Sequence, residues 1–77
     1  MADKLPCITG KEAIRAFARI GFVVDRVKSS HHILKKDGHP SVLTVPVHGN
    51  ADLKPGTLRA LIRGAGITVD EFCELLK

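Results

Sequence analysis

Apolar residues recur at a helical period near both ends of the chain and at a strand period between them, and turn signals divide these stretches into six elements. In residues 10–20, Ile14, Phe17 and Ala18 fall at i, i+3 and i+4, the spacing of one helical face. Thr9 and Glu12 stand three apart just ahead of that run. This is a capping box, in which each side chain satisfies a free backbone N–H at a helix start. Gly21 fits a left-handed cap at the other end. A helix over 10–20 follows. Its opposite face carries Lys11, Arg15 and Arg19 at i, i+4 and i+8, an aligned basic stripe.

From residue 22 the period shortens. "FVVDRVK" (22–28) is rich in β-branched residues and bounded by Gly21 and two serines, so it reads as a strand. "HHILKK" (31–36) reads as a second. Period-2 alternation puts His31, Ile33 and Lys35 on one of its faces and His32, Leu34 and Lys36 on the other. Asp37-Gly38 is a turn signal, and Pro40 cannot donate to a ladder, so the following loop runs to Ser41. "VLTVPV" (42–47) is a third strand, with Leu43, Val45 and Val47 alternating toward one face. Pro46 within it suggests an edge position. The short links make the three strands an antiparallel meander.

The helical period then returns. Leu58, Leu61, Ile62 and Ala65 fall at i, i+3, i+4 and i+7, which predicts a helix over 54–66. Pro55 suits its first turn and Gly66 its C-terminal cap. Gly64 weakens the last turn by about 1 kcal/mol relative to alanine. Residues 67–77 begin with a second capping box, Thr68 with Glu71, and Ile67 and Phe72 hold the positions of a hydrophobic staple. The order is α-β-β-β-α with a short C-terminal helix, an α+β chain with a three-stranded antiparallel sheet, read as one domain over 1–77. Helices on one sheet face would bury Ile14, Phe17, Leu43, Val45, Leu58, Leu61 and Ile62 together.

Composition narrows the chemistry. The only aromatic residues are Phe17, Phe22 and Phe72, with no tryptophan or tyrosine, which argues against a base-stacking platform. The net charge of +4 is uneven. Residues 1–66 hold eleven Lys or Arg against five Asp or Glu, whereas 67–77 hold one against three. A basic body with an acidic end suits a polyanionic partner. Asp3, Lys4, Pro6 and Gly10 interrupt any apolar export segment, and no apolar run approaches the roughly 20 residues that span a bilayer. Cys7 and Cys73 are far apart and form no C-x-x-C pair. These features predict a cytoplasmic protein with reduced thiols and no membrane partner.

All four histidines lie between Val27 and Gly49, at positions 31, 32, 39 and 48. Structural zinc sites use close ligand pairs, and this spacing does not supply them. Ser30 and His31 are sequence neighbours, unlike a nucleophile and base that meet through the fold. RNA cleavage asks for less, because the attacking 2′-hydroxyl and the leaving 5′-oxygen both belong to the substrate. The protein must add a proton-transfer group, for which histidine is suited, and cations for the phosphate. His31 among Lys28, Lys35, Lys36 and Lys54 meets that demand; the alternative is an exposed surface histidine. Of the others, His32 is expected to face the core or pack on the third strand. His39 is expected in a solvated loop, and His48 to be structural or substrate-adjacent.

Two stretches, "GFVVDRVKSSHHIL" and "LTVPVHGNADLKPGTLRALIRGAGIT", resemble the HicA toxin family of bacterial toxin–antitoxin pairs. The family pattern runs G-F, then G-S-H-x-I/F, T-V-P-x-H and L-K-x-G-T-L-x-x-I-L-x-x-A-G-I. Here it appears as Gly21-Phe22, Ser30-His31, Thr44 to His48, and Leu53 to Ile67. The resemblance implies a double-stranded-RNA-binding-domain-like fold and an mRNA-cleaving endoribonuclease without a metal cofactor. It also implies a HicB-type antitoxin partner that covers the active histidine. The family's catalytic histidine falls on His31, not His32. Lys11, Lys28, Ser30, Lys35, Lys36 and Lys54 are the expected RNA contacts. Ser29 stands where the pattern has glycine. A glycine there permits a positive φ or a close approach of RNA backbone; a serine incurs strain in the first case and obstructs the second. A competing reading keeps the RNA affinity and drops the catalysis. That module would bind through the helix stripe, Lys35, Lys36 and the start of the second helix.

Overall fold

The computed structural model describes residues 5–77. Asp3 and Lys4, which entered the reading of the N-terminus, lie outside the described residues, as does the start of the 1–77 span. The elements follow in the order α1 (Gly10–Ala18), β1 (Val23–Lys28), β2 (His31–Lys35), β3 (Leu43–Pro46), α2 (Pro55–Ala65) and α3 (Val69–Leu75). This is the expected α+β arrangement.

Both capping boxes form. Thr9 N–H donates to Glu12 Oε1 at 2.9 Å, and Glu12 N–H donates to Thr9 Oγ1 at 3.2 Å. Thr68 and Glu71 repeat the exchange at 2.8 and 3.0 Å. α1 stops two residues earlier than its pattern suggests. The N–H groups of Arg19, Ile20 and Gly21 each bond back three residues, tightening the last turn. Gly21, at φ +105°, then lets Phe22 N–H reach Phe17 C=O. α2 ends as expected, on Gly66 in the left-handed region.

The sheet order is β1-β2-β3, antiparallel throughout. Pro46 therefore sits on an edge strand, where its missing N–H breaks no ladder. Between β1 and β2 the register slips at Asp25: Val24 pairs with Leu34 and Arg26 with Ile33. Asp25 is the extra residue of a β-bulge.

The core joins one sheet face to the helices. Phe17, Phe22 and Phe72 are fully buried with Leu34, Val45 and Leu58. The ring of Phe17 meets that of Phe22 edge-on at 6.0 Å and that of Phe72 at 5.1 Å. These contacts set the roll of α1, and they correct the expected face. Ala13 and Ala16 are buried beside Phe17, Ile14 is half-buried at the margin, and Ala18 is exposed. Small residues on the inner face let α1 approach closely. At Gly10, a Cβ would collide with the carbonyl oxygen of Pro46. The basic stripe is likewise divided, because Arg19 Nη1 donates to the carbonyls of Leu75 and Lys77 and ties the end of α3 to α1. Cys7 and Cys73 are free thiols. Among the described residues, no helix is long and apolar enough to cross a membrane.

Candidate functional site

The helices cover one face of the sheet and leave the other open. Cross-strand pairing assigns the side chains. His31 lies between Lys28 and Pro46, Ile33 between Arg26 and Thr44, and Lys35 opposite Val23, all on the open face. His32 lies between Val27 and Val45, and Leu34 between Val24 and Leu43, on the helix side. The adjacent histidines thus diverge, as the alternation predicts. His31 is exposed. His32 is half-buried, and its Nδ1 is buried without a hydrogen-bond partner.

The β1–β2 connection has two residues, Ser29 and Ser30, closed by the pair Lys28 and His31. Ser29 has φ +57°, the only positive φ outside glycine among the described residues. A positive φ at the first central position alone is the sign pattern of a type II′ turn, which favours glycine there. Serine therefore keeps the turn that the glycine of the family pattern would allow, with backbone strain added. Ser30 is held from behind, since its carbonyl accepts from Val47 N–H at 2.7 Å. The turn, and His31 with it, is fastened to β1 by the Lys28–His31 pair and to Val47, just past β3.

Several elements converge on this end of the sheet. α1 starts beside β3, with Gly10 against Pro46 and Val47, so Lys11 leaves the helix nearby. The segments ahead of α1 and α2 are paired: Thr9 bridges Asp52, and Leu53 N–H donates to Ile8 C=O at 2.8 Å. The positive ends of two helix dipoles are thereby placed side by side. α2 starts at Lys54 with no side-chain cap, so its first-turn N–H groups have no side-chain acceptor. Pro46, His48, Asp52, Leu53, Lys54 and Thr57 line a groove there. Lys11, Lys28, Ser30, His31 and Lys54 therefore gather at one end of the molecule, with exposed His48 in the same groove as Lys54.

Lys35 and Lys36 are at the opposite end of β2. Lys35 shares the open face with His31 but is four residues away, about 13 Å along a strand. It sits 3.7 Å from Asp25. Lys36 is further removed, because its ammonium lies 5.7 Å from the centre of the Phe22 ring on the other side of the sheet. His39 is not the solvated loop residue its flanking turn suggests. Its ring meets Phe22 edge-on at 5.2 Å, and Nε2–H donates to Gly64 C=O at 2.8 Å. Arg26 was absent from the sequence reading, yet it stands on the open face beside Lys28 and His31. A two-residue turn that pairs Lys28 with His31 puts residue 26 opposite residue 33, so that signal was present.

The open face thus presents an exposed imidazole on a fastened turn, with Lys28 and Arg26 beside it and Lys11 and Lys54 at the same end. A surface of this make-up has the charge to hold a polyanion and an imidazole able to move a proton. A family model described as HicA toxin of bacterial toxin-antitoxin matches residues 10–67, from the first residue of α1 to just past the cap of α2. No curated protein matches the chain.

Proposed function

This chain belongs to the HicA toxin family of bacterial toxin–antitoxin systems, and we propose that it is an endoribonuclease that cleaves mRNA, with His31 as the proton-transfer residue. One observation carries the reading. His31 is the exposed histidine of the open basic face, and it is held in place by a turn paired to β1 and bonded to Val47, just past β3. His32 has its Nδ1 buried on the other side, and His39 is engaged with Phe22 and Gly64.

In the proposed reaction the substrate's 2′-oxygen attacks the adjacent phosphorus and the bond to the 5′-oxygen breaks. A 2′,3′-cyclic phosphate and a free 5′-hydroxyl result. The 2′-oxygen loses a proton and the 5′-oxygen gains one, and His31 serves this transfer. Lys28 and Arg26 hold the phosphate and stabilise its developing charge. Lys11 and Lys54, near the starts of α1 and α2, bind the backbone to either side. Lys35 contacts it further along the face. Ser30 acts through its position, presenting His31 at the strand start. The reaction takes place in the cytoplasm, where mRNA is found, and a HicB-type antitoxin restrains it by covering His31.

The test is inducible expression in bacterial cells, wild type beside His31→Ala, with total RNA examined for cleavage. Arrested growth and mRNA fragments with wild type alone support the reading. If both proteins are harmless while purified wild type still binds RNA, the chain is a binding module and the enzymatic reading fails.

A further inference from the structure

β1 is the outer strand of the sheet, and all six of its residues are exposed. Its valines are unusually so: Val23 is 64%, Val24 42% and Val27 54% exposed. Val24 and Val27 share the helix side with Leu34 and His32, their cross-strand partners. They nevertheless remain uncovered. An open edge with an apolar side is a ready template for another strand.

We propose that β1 pairs antiparallel with β1 of a second copy of this chain, about a two-fold axis passing between Asp25 and Arg26. In that register Val23 faces Lys28 of the second copy, Val24 faces Val27 of the second copy, and Asp25 faces Arg26 of the second copy. Each contact occurs twice. The charges are self-complementary, with two Asp25–Arg26 ion pairs at the centre. A valine pair lies on each side of the centre, and the stem of Lys28 covers Val23 at each end.

The bulge selects this register. In a strictly alternating strand, residues 25 and 26 point to opposite faces, so the register would oppose unlike faces. Here Asp25 reaches toward Lys35 on the open face, the face that Arg26 shares through its pairing with Ile33. Along β1 the faces therefore read open, helix, open, open, helix, open. That order is unchanged on reversal, so all six pairs match. The two-fold axis runs perpendicular to the sheet, which makes one six-stranded sheet with both His31 side chains uncovered on the same side. One strand pair buries well under the roughly 1,000 Å² of a stable interface, so the dimer is weak and forms at hundreds of micromolar, on the order of the weakest specific contacts.

Sedimentation equilibrium at low salt, on the full chain from about 10 μM to about 1 mM, spans the range in which so small an interface would act. The expected result is an average mass rising from 8.3 kDa toward twice that value. Arg26→Asp and Asp25→Arg, each setting like charges opposite one another twice, weaken the dimer at least about tenfold. The combined swap restores it to within about threefold, because coupled charges cancel. These residues are exposed, and circular dichroism checks that each variant folds. If one does not, Val24→Lys replaces it and is expected to give a monomer. A constant monomer mass up to the highest concentration overturns the proposal. So does a dimer that neither single reversal nor Val24→Lys weakens, or a double swap that does not recover. A monomer that instead binds a strand of another protein along β1 overturns it as well.

Discussion

Lys28 and His31 face each other across the two-residue turn that joins β1 to β2. The pairing puts an ammonium beside the imidazole without a hydrogen bond between them, which suits a phosphate bound by one and served by the other. Lys28→Ala should weaken RNA binding at every sequence. It should also reduce the slope of log affinity against log salt by about 1, the signature of one lost phosphate contact. Titrations at several salt concentrations measure this, and an unchanged slope would show that Lys28 does not touch the backbone.

His31→Ala should abolish cleavage and leave the fold intact. The side chain is exposed, and substitutions at such sites usually shift stability by no more than about 0.5 kcal/mol. Urea unfolding of the variant checks this. A loss of several kcal/mol would give His31 a structural role.

Ser29→Gly should stabilise the protein. An L-residue in the left-handed region costs about 1–2 kcal/mol, and the extra freedom of an unfolded glycine offsets about 0.4–1 of that. A gain of about 0.5 kcal/mol remains by this reckoning. Ser29→Val should lose stability, because a β-branched side chain fits a positive φ worst. If the glycine variant is less stable than wild type, the turn does not hold serine at this φ.

His32→Leu should also raise stability. Nδ1 of His32 is buried with no partner, and an unsatisfied buried polar atom costs about 1–3 kcal/mol. Leucine keeps an apolar contact between Val27 and Val45 and removes the orphan. A rise of about 1 kcal/mol corresponds to a melting temperature several degrees higher for a domain of this size. A lower melting temperature would mean that the ring nitrogen is satisfied.

Gly10→Ala sets two effects against each other. Alanine is the better helix former by about 1 kcal/mol, but its Cβ meets the carbonyl oxygen of Pro46. Backbone cannot yield as a flexible side chain does, so the collision decides the sign and the variant should be less stable. Thermal unfolding reads it directly; a more stable variant would show that α1 can move away from β3.

Local signals were the legible part of this fold. Both helix starts at Thr9 and Thr68 were written in three-residue spacing, and both formed. The divergence of His31 and His32 followed from alternation alone. What sequence reading missed depends on contacts between distant segments. The roll of α1 is set by Phe22 and Phe72, so Ala13 displaced Ile14 from the core. His39 sits beside a turn signal but is claimed by Phe22 and Gly64, which lie far from it along the chain. The bulge at Asp25 is a property of two strands and has no mark in either one. The candidate site divides in the same way. His31 and Lys28 come from one hairpin, whereas Lys11 and Lys54 join them only because the segments ahead of α1 and α2 pair with each other.

The two-residue connection at Ser29 and Ser30 also limits how this chain can vary over generations. One residue inserted or deleted there, unless a bulge absorbs it as one does at Asp25, shifts β2 against β1 by a single position, and every side chain of the strand exchanges faces. His31 would turn under the helices and Leu34 out into water. An unabsorbed change of length there would cost both the fold and the site. Substitution, as with the serine at 29, changes the tip without putting the register at risk.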